Sequence, residues 1–592
     1  MRLALNNTVV FVRQARLTWS VRLAIVALAP LICVSGCRGK RKTAPGSGRG
    51  QTTAELSGAR PPPPDAGTLP APAEVPLPSR RGGTLRVHLD GEPTNLMPLG
   101  DAESSALQVT NGLVYETLLD CSDGTYRPAL AESWDVSDDR MRLAVRVRSG
   151  VRWHDHRAFG VLDVQATIEP LLRKGNDAAA LRAELADVAS LELVTERTIR
   201  LVLKRPSDLA LRALCDVPIL PDHIIRGARI ESAPIARAPI GTGPFKFAGW
   251  ERGKRIRLER APDYWGPPAG LDEIVFDLDS DAVRALNRTR RGDIDVLARV
   301  LEVHYPEQVE PTTLHGGAAL YRLASRRYSF LVVNNAHYPL SDARFRRAVS
   351  MLWDRNRFSG ELHDDLAIPI GGPPGDDWTA GPSQGPAPPA QSSPRQSPGS
   401  LTRDVAAPRF DRPHAIALLE QAGYRDSDAD GVRDNQGRPI RLTMLEPAGN
   451  KLFNVEARAF VLEMRKAGVL VDLVPTDSAT IMQRLKRGEF DLAPMTWQGA
   501  PDDVPAALFG SDGAFNFGGY KSGAMDAMLD EARAAAGPLA RASILDRITR
   551  LVTEDQPAIF LYRYDVPALV AGRVHGLAAV GDRFDLRRVW LE

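Results

Sequence analysis

Cysteine is scarce in this 592-residue sequence, which contains four. None of the four forms a C-x-x-C pair or lies within a cysteine–histidine cluster, so the pattern indicates no structural zinc site and no metal cofactor. Cys33 and Cys37 belong to an N-terminal region treated below, which leaves Cys121 and Cys215. Two thiols in an oxidising compartment can pair, but their positions in the sequence fix no geometry. The sequence therefore leaves a disulfide open.

An excess of charge of one sign is also missing. The 75 lysines and arginines nearly balance the 73 aspartates and glutamates, for a net charge of +2. Such a chain has no overall field that would attract nucleic acid or an anionic surface, so we expect no nucleic-acid partner. The hydrophobic content of 43% is sufficient for large cores, and the length implies several domain-sized units.

The N-terminal apolar run, residues 23–34, is shorter than the ~20 residues that a membrane helix needs, and Arg13, Arg16 and Arg22 precede it. This pattern predicts an export signal over residues 1–36 rather than an anchoring helix. The letters VSGC at 34–37 resemble a bacterial lipobox, so we expect Cys37 to carry a lipid, with an ordinary secretory signal as the alternative. The mature chain would then be periplasmic or extracytoplasmic in the cell envelope, lipid-anchored to a membrane whose identity the sequence leaves open.

Two segments lack the apolar periodicity of folded elements. Residues 37–80 follow the signal with many prolines and glycines, which predicts a disordered, extended tether. Residues 370–408 have a similar composition and predict a disordered insertion within a domain.

The remaining sequence repeats strand and helix patterns. Residues 84–89 alternate apolar and polar side chains as a strand does, and residues 271–297 have the pattern of strand, helix and strand. Residues 441–495 extend this pattern to three strands and two helices, and the turn RGDIDV at 291–296 is matched by RGEFDL at 487–492. These matches predict two α/β lobes of related design, although glycine-capped turns are common enough to recur by chance.

Seven blocks of the chain, in this order, carry a resemblance to a known family. They are GGTLRVHLDGEPTNLMPL, YETLLDCSDGTYRPALAESWDVSDD, VRSGVRWHDHRAF, PIGTGPFKFAGWERGKRIRLERAPDYWG, PLSDARFRRAVSMLWDR, ALLEQAGYRDSDADGVRD and EDQPAIFLYRY. From about residue 82 to the C-terminus, the sequence resembles the family 5 extracellular solute-binding proteins of ABC importers, which include oligopeptide-, dipeptide- and nickel-binding proteins.

The resemblance implies an α/β, two-lobed periplasmic-binding-protein-like fold of type II, with an extra subdomain on lobe I and a hinged cleft between the lobes. Lobe I would span residues 81–322 and return at 557–592, and lobe II would span 323–556. The chain would be a monomeric, non-enzymatic receptor that captures a solute, an oligopeptide or dipeptide by default, and delivers it to a membrane permease. The sequence has no G-x-x-x-x-G-K-[ST] loop, so ATP hydrolysis and translocation would belong to separate ABC subunits.

In peptide binders of this family, a tryptophan follows a strand, and an aspartate three residues later pairs with the α-ammonium of the peptide. The resemblance places the tryptophan at Trp497, where its ring would stack on the ligand, but the third residue on is Ala500. Asp502 and Asp503 are candidate replacements, of which Asp503 matches the second acidic position of the motif. The missing carboxylate leaves the standard mode of dipeptide recognition open.

Four further residues fall at positions that resemble cleft-lining ones. Lys451 lies in the region where some relatives have an arginine for the ligand carboxylate, and it is a poorer bidentate partner. Glu92, Tyr115 and Asn516 complete the set of predicted ligand-binding residues. For these three, an ordinary loop or core contact is an equal alternative.

Two motifs, one with histidines and one with aspartates, could suggest metal sites. In WHDHR, His154 and His156 supply too few ligands, and the block matches a structural hairpin of the family in which a glycine usually replaces His156. The other motif has carboxylates at positions one, three and five of a calcium-type loop, but Gly437 replaces the glutamate at position twelve. A solvated turn is the preferred interpretation, with calcium as a minor structural option at Asp426, Asp428 and Asp430.

Two other functions remain as alternatives. The first is an envelope lipoprotein for sensing or interaction that kept the fold and lost transport, which the alanine at position 500 allows. The second, less well supported, is an envelope hydrolase. The G-x-S-x-G match at residues 381–385 lies in the proline-rich insertion, without the strand and helix that a nucleophile turn requires.

Overall fold

The computed structural model describes most of the chain from Gly82 to the C-terminus. The described residues are 82–99, 103–121, 125–173, 179–226, 233–301, 304–305, 308–309, 317–373, 406–498, 504–535, 538–580 and 583–592. The predicted signal peptide and tether, Cys37, most of the predicted insertion, Asp502 and Asp503 lie outside the described residues.

The first half of the chain combines short helices with strands. Its elements are β1 (Thr84–Leu89), α1 (Ser104–Thr110), β2 (Leu119–Asp120), β3 (Arg127–Pro128), β4 (Ala131–Val136), β5 (Arg142–Val147), α2 (Val161–Leu172), α3 (Ala179–Glu184), β6 (Val188–Thr195), β7 (Thr198–Leu203), α4 (Leu209–Asp216), α5 (Asp222–Ile225), β8 (Phe245–Glu251), β9 (Arg255–Arg260), β10 (Glu273–Leu278), α6 (Ala282–Arg290) and β11 (Val296–Leu297).

The second half begins with a long strand and contains the longer helices. Its elements are β12 (Ala319–Val333), α7 (Ala343–Ser350), α8 (Arg355–His363), β13 (Ala367–Pro369), α9 (Arg412–Gln421), β14 (Asp434–Asn435), β15 (Arg438–Pro439), β16 (Arg441–Pro447), α10 (Lys451–Lys466), β17 (Leu470–Thr476), α11 (Ser478–Arg487), β18 (Leu492–Gln498), α12 (Val504–Phe509), α13 (Gly523–Arg533), α14 (Pro538–Asp555), β19 (Ala558–Val570), β20 (Val574–His575), β21 (Ala578–Val580), β22 (Arg583–Asp585) and β23 (Trp590–Leu591).

Eleven of the described strands form one mixed sheet, in the order β17-β16-β18-β12-β19-β11-β1-β10-β9-β8, with β13 beside β19. Each end of this sheet has a parallel core of three strands. At one end β1 lies between β10 and β11, and at the other β16 lies between β17 and β18. The two halves therefore share a topology, in which a helix connects the two outer strands of each parallel core.

The two matching turns found in the sequence make the same contact in both halves. Asp295 Oδ2 accepts a hydrogen bond from the backbone N–H of Arg86 on β1 at 2.8 Å, and Asp491 Oδ2 accepts one from Thr443 on β16 at 2.7 Å. Each carboxylate thus accepts a hydrogen bond from a backbone N–H of the central strand of its own parallel core. The shared turn has a structural cause, since an aspartate at this position joins the helix–strand connection to the neighbouring strand.

Strands β12 and β19 belong to both halves of the sheet. The first residues of β12 pair with Val566–Val570 of β19, and its later residues pair with Ala558–Arg563, with a register shift between Ala324 and Tyr328. β18 joins only the later part of β12, whereas β11 joins only the last residues of β19. These two strands therefore connect the halves, and an irregular register marks the middle of the connection.

The hydrophobic cores follow the same division. One large cluster takes residues from 85–296 and 570–589, while two others take theirs from 328–562. We call β1–β11 with β20–β23 lobe I and β13–β18 with α7–α14 lobe II, with β12 and β19 shared. The predicted boundaries at residues 322 and 557 stay a prediction, and each falls within or next to a shared strand.

Lobe I carries a second sheet of four strands, in the order β4-β5-β7-β6, whose apolar side chains join the lobe I core. Next to it, a disulfide joins Cys121, after β2, to Cys215 on α4, across a sequence separation of 94. The structure thus forms the pair that the sequence left open, and the bond closes a loop that contains the four-stranded sheet.

Candidate functional site

An open pocket lies in lobe II at the edge of the sheet where its parallel strands end. Its lining includes Pro447, at the end of β16, residues 494–496 of β18, and the first turns of α10 and α11. Its empty space, including the solvent-filled mouth, is about 930 Å³. Residues of the two shared strands complete the lining, so the pocket lies beside the connection between the lobes. We call it the lobe II pocket.

The topology of lobe II explains why a pocket forms there. α10 contributes Phe460 and Met464 to one hydrophobic cluster, whereas α11 contributes Ile481 and Leu485 to another, so the helices cover opposite faces of the sheet. Connections that leave a parallel sheet in opposite directions leave a crevice outside the strand ends. The N-termini of both helices meet at this crevice, where ligands of open α/β sheets usually bind.

A buried carboxylate forms the floor of the lobe II pocket. Glu456, on α10, is 2% exposed, and its two oxygens contact His363 Nε2 at 2.6 Å and the Tyr562 hydroxyl at 3.1 Å. Tyr562 also accepts a hydrogen bond from Trp353 Nε1 at 3.2 Å, and burial raises the pKa of its hydroxyl. The polar groups of the floor therefore satisfy one another, and the carboxylate is held in one position.

Two arginines near this floor have very different surroundings. Arg355 is buried, and its donors are taken by the carbonyl oxygens of Ser350, Trp353 and Phe560 and by the Ser350 hydroxyl; burial lowers its pKa to about 10. Arg327, on β12, lines the pocket with its guanidinium 4.5 Å from the centre of the Tyr564 ring. Arg355 is thus a structural residue, while Arg327 faces the space that a solute would occupy.

Trp497 lies next to the pocket but in the core of lobe II. Its side chain is 3% exposed and packs edge-on against Phe515, with the ring centres 5.2 Å apart. The adjacent Thr496 lines the pocket instead. Direct stacking of Trp497 on a ligand stays a prediction, and the described contacts give the ring a packing role.

The predicted lobe I residues lie apart from the lobe II pocket. Glu92, in the loop after β1, accepts hydrogen bonds from Trp250 Nε1 at 3.0 Å and from the Gly253 backbone at 3.1 Å, which fastens that loop to the β8–β9 turn. Tyr115 is 1% exposed within the lobe I core. A ligand role for either residue stays a prediction.

The other predicted ligand residues belong to lobe II. The Asn516 side chain donates to the Gly510 and Tyr520 carbonyl oxygens and accepts from the Tyr520 backbone N–H, so it holds the loop before α13 together. Lys451 is exposed at the first position of α10, between two residues that line the pocket. Asp502 and Asp503 remain candidates outside the described residues.

The motif WHDHR forms a tight turn. His156 has φ +68°, a left-handed conformation, which explains why a glycine is usual at this position. His154 is held between two backbone groups, contacting the Gly243 carbonyl oxygen through Nε2 and accepting from the Gly241 N–H through Nδ1. Burial lowers its pKa to about 4.

The acidic loop after α9 is exposed. Carboxylate oxygens of its three aspartates lie within 4.8 Å of one another, and each also accepts a hydrogen bond from the loop backbone at 2.7–3.3 Å. Asp434 accepts from Ser427 and Gly437, which closes the turn. The solvated-turn interpretation stays a prediction, with calcium as the minor option at Asp426, Asp428 and Asp430.

The lobes also touch away from the shared strands. The guanidinium of Arg140, in the β4–β5 turn of lobe I, donates to the carbonyl oxygens of Ala534 and Ala535 at the C-terminal end of α13. The Asp208 N–H donates to the Arg533 carbonyl oxygen at 3.4 Å, and the Asp208 carboxylate accepts from the Tyr126 hydroxyl at 2.8 Å. A cation at a helix C-terminus is a favourable arrangement, so this contact favours approach of the lobes.

Sequence reasoning missed most of the lobe II pocket. Arg327, His363 and Glu456 belong to three separate elements that only the tertiary fold brings together. Tyr562 and Tyr564 did lie in one of the seven blocks, EDQPAIFLYRY, whose alternating tyrosines predict that two rings share one side of a strand. The arginine at the start of the mostly apolar segment 327–333 was the other feature of the sequence that could have indicated the pocket.

Two α/β lobes of matching topology, joined by two strands beside an open pocket, define the class of two-lobed binding proteins. The family profile "Bacterial extracellular solute-binding proteins, family 5 Middle" matches residues 125–519. The chain therefore belongs to family 5 of the extracellular solute-binding proteins and is a substrate-binding protein rather than an enzyme. Members of this family bind peptides or small-molecule solutes and deliver them to an ABC permease. Within the described part of the chain, no helix combines the length and apolar composition needed to cross a membrane.

The chain resembles relatives whose named ligands differ. Over 498 residues it is 24% identical to the oligopeptide-binding protein AppA of Bacillus subtilis, covering 82% of this chain and 86% of AppA. Di/tripeptide-binding protein 2 of Pseudomonas aeruginosa is 26% identical, with 71% and 77% covered. The structure of Campylobacter jejuni NikZ in complex with Ni(L-His) superposes with a TM-score of 0.60 at 21% identity, covering 85% of this chain and 99% of NikZ. The fold is thus shared among proteins with different ligands.

Proposed function

We propose that the chain is the lipid-anchored substrate-binding component of an ABC importer, which captures a short peptide and delivers it to a membrane permease. The observation that carries the proposal is the lobe II pocket, at the strand ends and beside the strands that connect the lobes. Closure of the lobes about such a connection would enclose a solute. Lipid on Cys37 and the tether at 37–80 would hold this body near its membrane partners, as a monomer without nucleic acid.

A peptide is favoured over a nickel complex by the pocket lining. Apolar side chains such as Phe453, Ile481 and Met482 surround a few fixed polar groups, as is usual in sites for organic solutes. The histidine among the described lining residues, His363, already contacts Glu456. Relatives named for peptides, AppA and the di/tripeptide-binding protein, agree with this choice.

Thermal unfolding of the full chain with a panel of short peptides tests the proposal. A peptide present at a hundredfold excess over its Kd should raise the free energy of unfolding by about 2.7 kcal/mol, because it binds only the folded state. The peptide should be recovered uncleaved. If peptides, amino acids and metal complexes all leave the transition unchanged, the proposal fails.

A second candidate function is an envelope lipoprotein for sensing or interaction. The alanine at position 500 favours it, because the ammonium-binding carboxylate of peptide carriers is missing there. Uptake separates the two functions: deletion of a transport receptor abolishes solute uptake, whereas deletion of a sensor leaves uptake intact.

A further inference from the structure

We propose that the lobe II pocket binds a carboxylate group of the solute and that Arg327 is the residue that binds it. The inference rests on the proposed function, since it concerns the same pocket. It makes the solute an organic acid with an apolar body, such as a short peptide bound through its C-terminus.

Arg327 is held in place while its donors remain available. Its guanidinium stacks on Tyr564, which limits its orientations, and Tyr564 in turn contacts the Ser329 hydroxyl at 3.0 Å. Its Nε atom is buried without an acceptor. In the part of the chain that the structure describes, the Arg327 side chain has no hydrogen bond or ion pair. A buried N–H without an acceptor is costly, and a planar carboxylate fits the guanidinium in two-point contact.

Neighbouring arginines are already paired. Arg563 lies 2.6 Å and Arg322 lies 3.6 Å from a carboxylate oxygen of Asp565. Arg355 is saturated by carbonyl and hydroxyl acceptors, as described above. Among the arginines of this region whose side chains the structure describes, Arg327 therefore differs in offering its donors to the pocket.

The acidic group of the pocket does not offer a matching site for a cation. Glu456 is the acidic residue among the described lining residues, and both of its oxygens are occupied by His363 and Tyr562. An ammonium group placed in the pocket would have to displace one of these contacts. The uncompensated charge that faces the pocket among the described residues is thus positive.

The N-terminus of α10 adds to this preference. Its cap is the neutral Asn450, and Lys451 follows at the first helical position, so helix dipole and side chain both favour an anion there. At α11 the cap is Asp477, whose negative charge already compensates the positive end of the helix dipole. The carboxylate is therefore expected on the α10 side of the pocket, next to Arg327.

The apolar part of the lining sets the other half of the ligand. Phe330, Leu452, Phe453 and Ile481 line the pocket together with Met482 and Leu485. They would contact an apolar side chain rather than a second charge. Specificity then depends on one anionic group and the apolar body attached to it.

Calorimetric titration of the full chain with three forms of trileucine tests the inference. The free peptide, its N-acetyl form and its C-terminal amide differ only in their end charges, and 4-methylpentanoic acid serves as an acid without an amino group. We expect both free-acid peptides to bind and the amide to bind at least tenfold more weakly. Arg327→Gln should remove this difference, and Arg327→Lys should retain part of it because the charge remains.

Three controls keep the test specific. Arg487→Gln removes a charge from the exposed far end of α11 and should change nothing. Lys451→Gln tests the competing carboxylate partner and should have a smaller effect than Arg327→Gln. An unchanged unfolding transition of ligand-free Arg327→Gln shows that the fold is intact.

The outcomes separate this inference from the proposed function. If the amide binds as tightly as the free acid, or if Arg327→Gln binds as tightly as the native chain, the inference is wrong and the transport function stands. A co-purified solute that lacks an acidic group would likewise overturn the inference and leave the transport function standing. A chain that retains no solute and binds no peptide, acid or metal complex overturns both.

Discussion

Glu116 in lobe I shows how one buried residue couples stability to pH. Its carboxylate accepts hydrogen bonds from the Tyr264 hydroxyl at 2.7 Å, from Trp265 Nε1 at 2.8 Å and from the Thr242 hydroxyl at 2.8 Å. These three donors favour the charged form, but burial has the larger effect and raises the pKa of Glu116 from 4.5 to about 7. The folded chain therefore holds this proton more tightly than the unfolded chain does.

Glu116→Gln should alter the pH dependence of unfolding in a defined direction. In the native chain, the protonated Glu116 contributes fully to the free energy of unfolding below pH 4.5. This contribution is lost as the pH rises through about 7, which lowers the free energy of unfolding by an amount on the order of 3 kcal/mol. The amide does not titrate, so the variant should gain stability relative to the native chain over that interval. Urea titrations between pH 4.5 and 7 measure the difference, and a constant difference would contradict the assignment.

His154 provides a control of opposite sign. Burial lowers its pKa from 6.5 to about 4. The contribution of the neutral ring to the free energy of unfolding is therefore full above pH 6.5 and is lost as the pH falls through about 4. His154→Gln should therefore gain stability relative to the native chain as the pH falls over that range. If the stability of both variants, relative to the native chain, changes in the same direction with pH, burial does not control the pKa of one of the two residues.

Trp497 packs in the core of lobe II, and its substitution should therefore affect stability. Ligand stacking by this residue stays a prediction, and the ring is buried against Phe515. Trp497→Ala should lower the free energy of unfolding by about 3–5 kcal/mol, because it leaves a large cavity, and Trp497→Phe should cost less. Urea denaturation measures both. Unchanged stability with weakened solute binding would instead return Trp497 to the ligand surface.

At the scale of elements, the repeated helix–strand turn is the feature with the clearest test. Asp491→Ala leaves the Thr443 N–H without its acceptor. The substitution should lower the free energy of unfolding by about 1–3 kcal/mol. Glu489→Ala changes a half-exposed residue of the same turn and should have little effect. If both variants lower the free energy of unfolding equally, the conformation of the turn, rather than the hydrogen bond to β16, determines its contribution to stability.

Regular elements were the most predictable part of this chain. The pattern at 84–89 predicted β1, and the longer pattern from residue 441 predicted the region of β16 and α11, whose glycine-capped turn at 487–492 contains the left-handed Gly488. Local periodicity and capping contain this information. The second strand predicted within 271–297 is short in the structure, at Val296–Leu297, and Asp295 just before it binds β1 through its side chain.

The lobe II pocket was less predictable because it depends on non-local packing. Arg327 and Tyr564 meet only through the antiparallel pairing of β12 with β19, and Glu456 reaches them from α10. No spacing in the sequence encodes such a meeting. The disulfide was open for the same reason, since only the packing of α4 beside β2 brings its cysteines together.

At the scale of the whole molecule, the contact of Arg140 with the end of α13 should favour a closed arrangement of the lobes. Arg140→Ala removes hydrogen bonds between lobes while leaving each lobe intact. Small-angle scattering should show a larger radius of gyration for the ligand-free variant, and solute affinity should fall roughly five- to thirtyfold, for about 1–2 kcal/mol of lost interaction.

Arg142→Ala is the matched control, because Arg142 lies in the same region and pairs within lobe I, with Asp139. Its radius of gyration and affinity should equal those of the native chain. If Arg140→Ala also leaves both unchanged, the contact makes no contribution to closure.

The central claim is that this chain encloses a solute and releases it chemically unchanged. Native mass spectrometry of the full chain, purified from its native host, tests it most directly. The account predicts a retained small molecule that leaves on denaturation with its structure intact and carries a carboxylate. A bare protein mass that no peptide, acid or metal complex alters, or a ligand recovered in cleaved form, would contradict it.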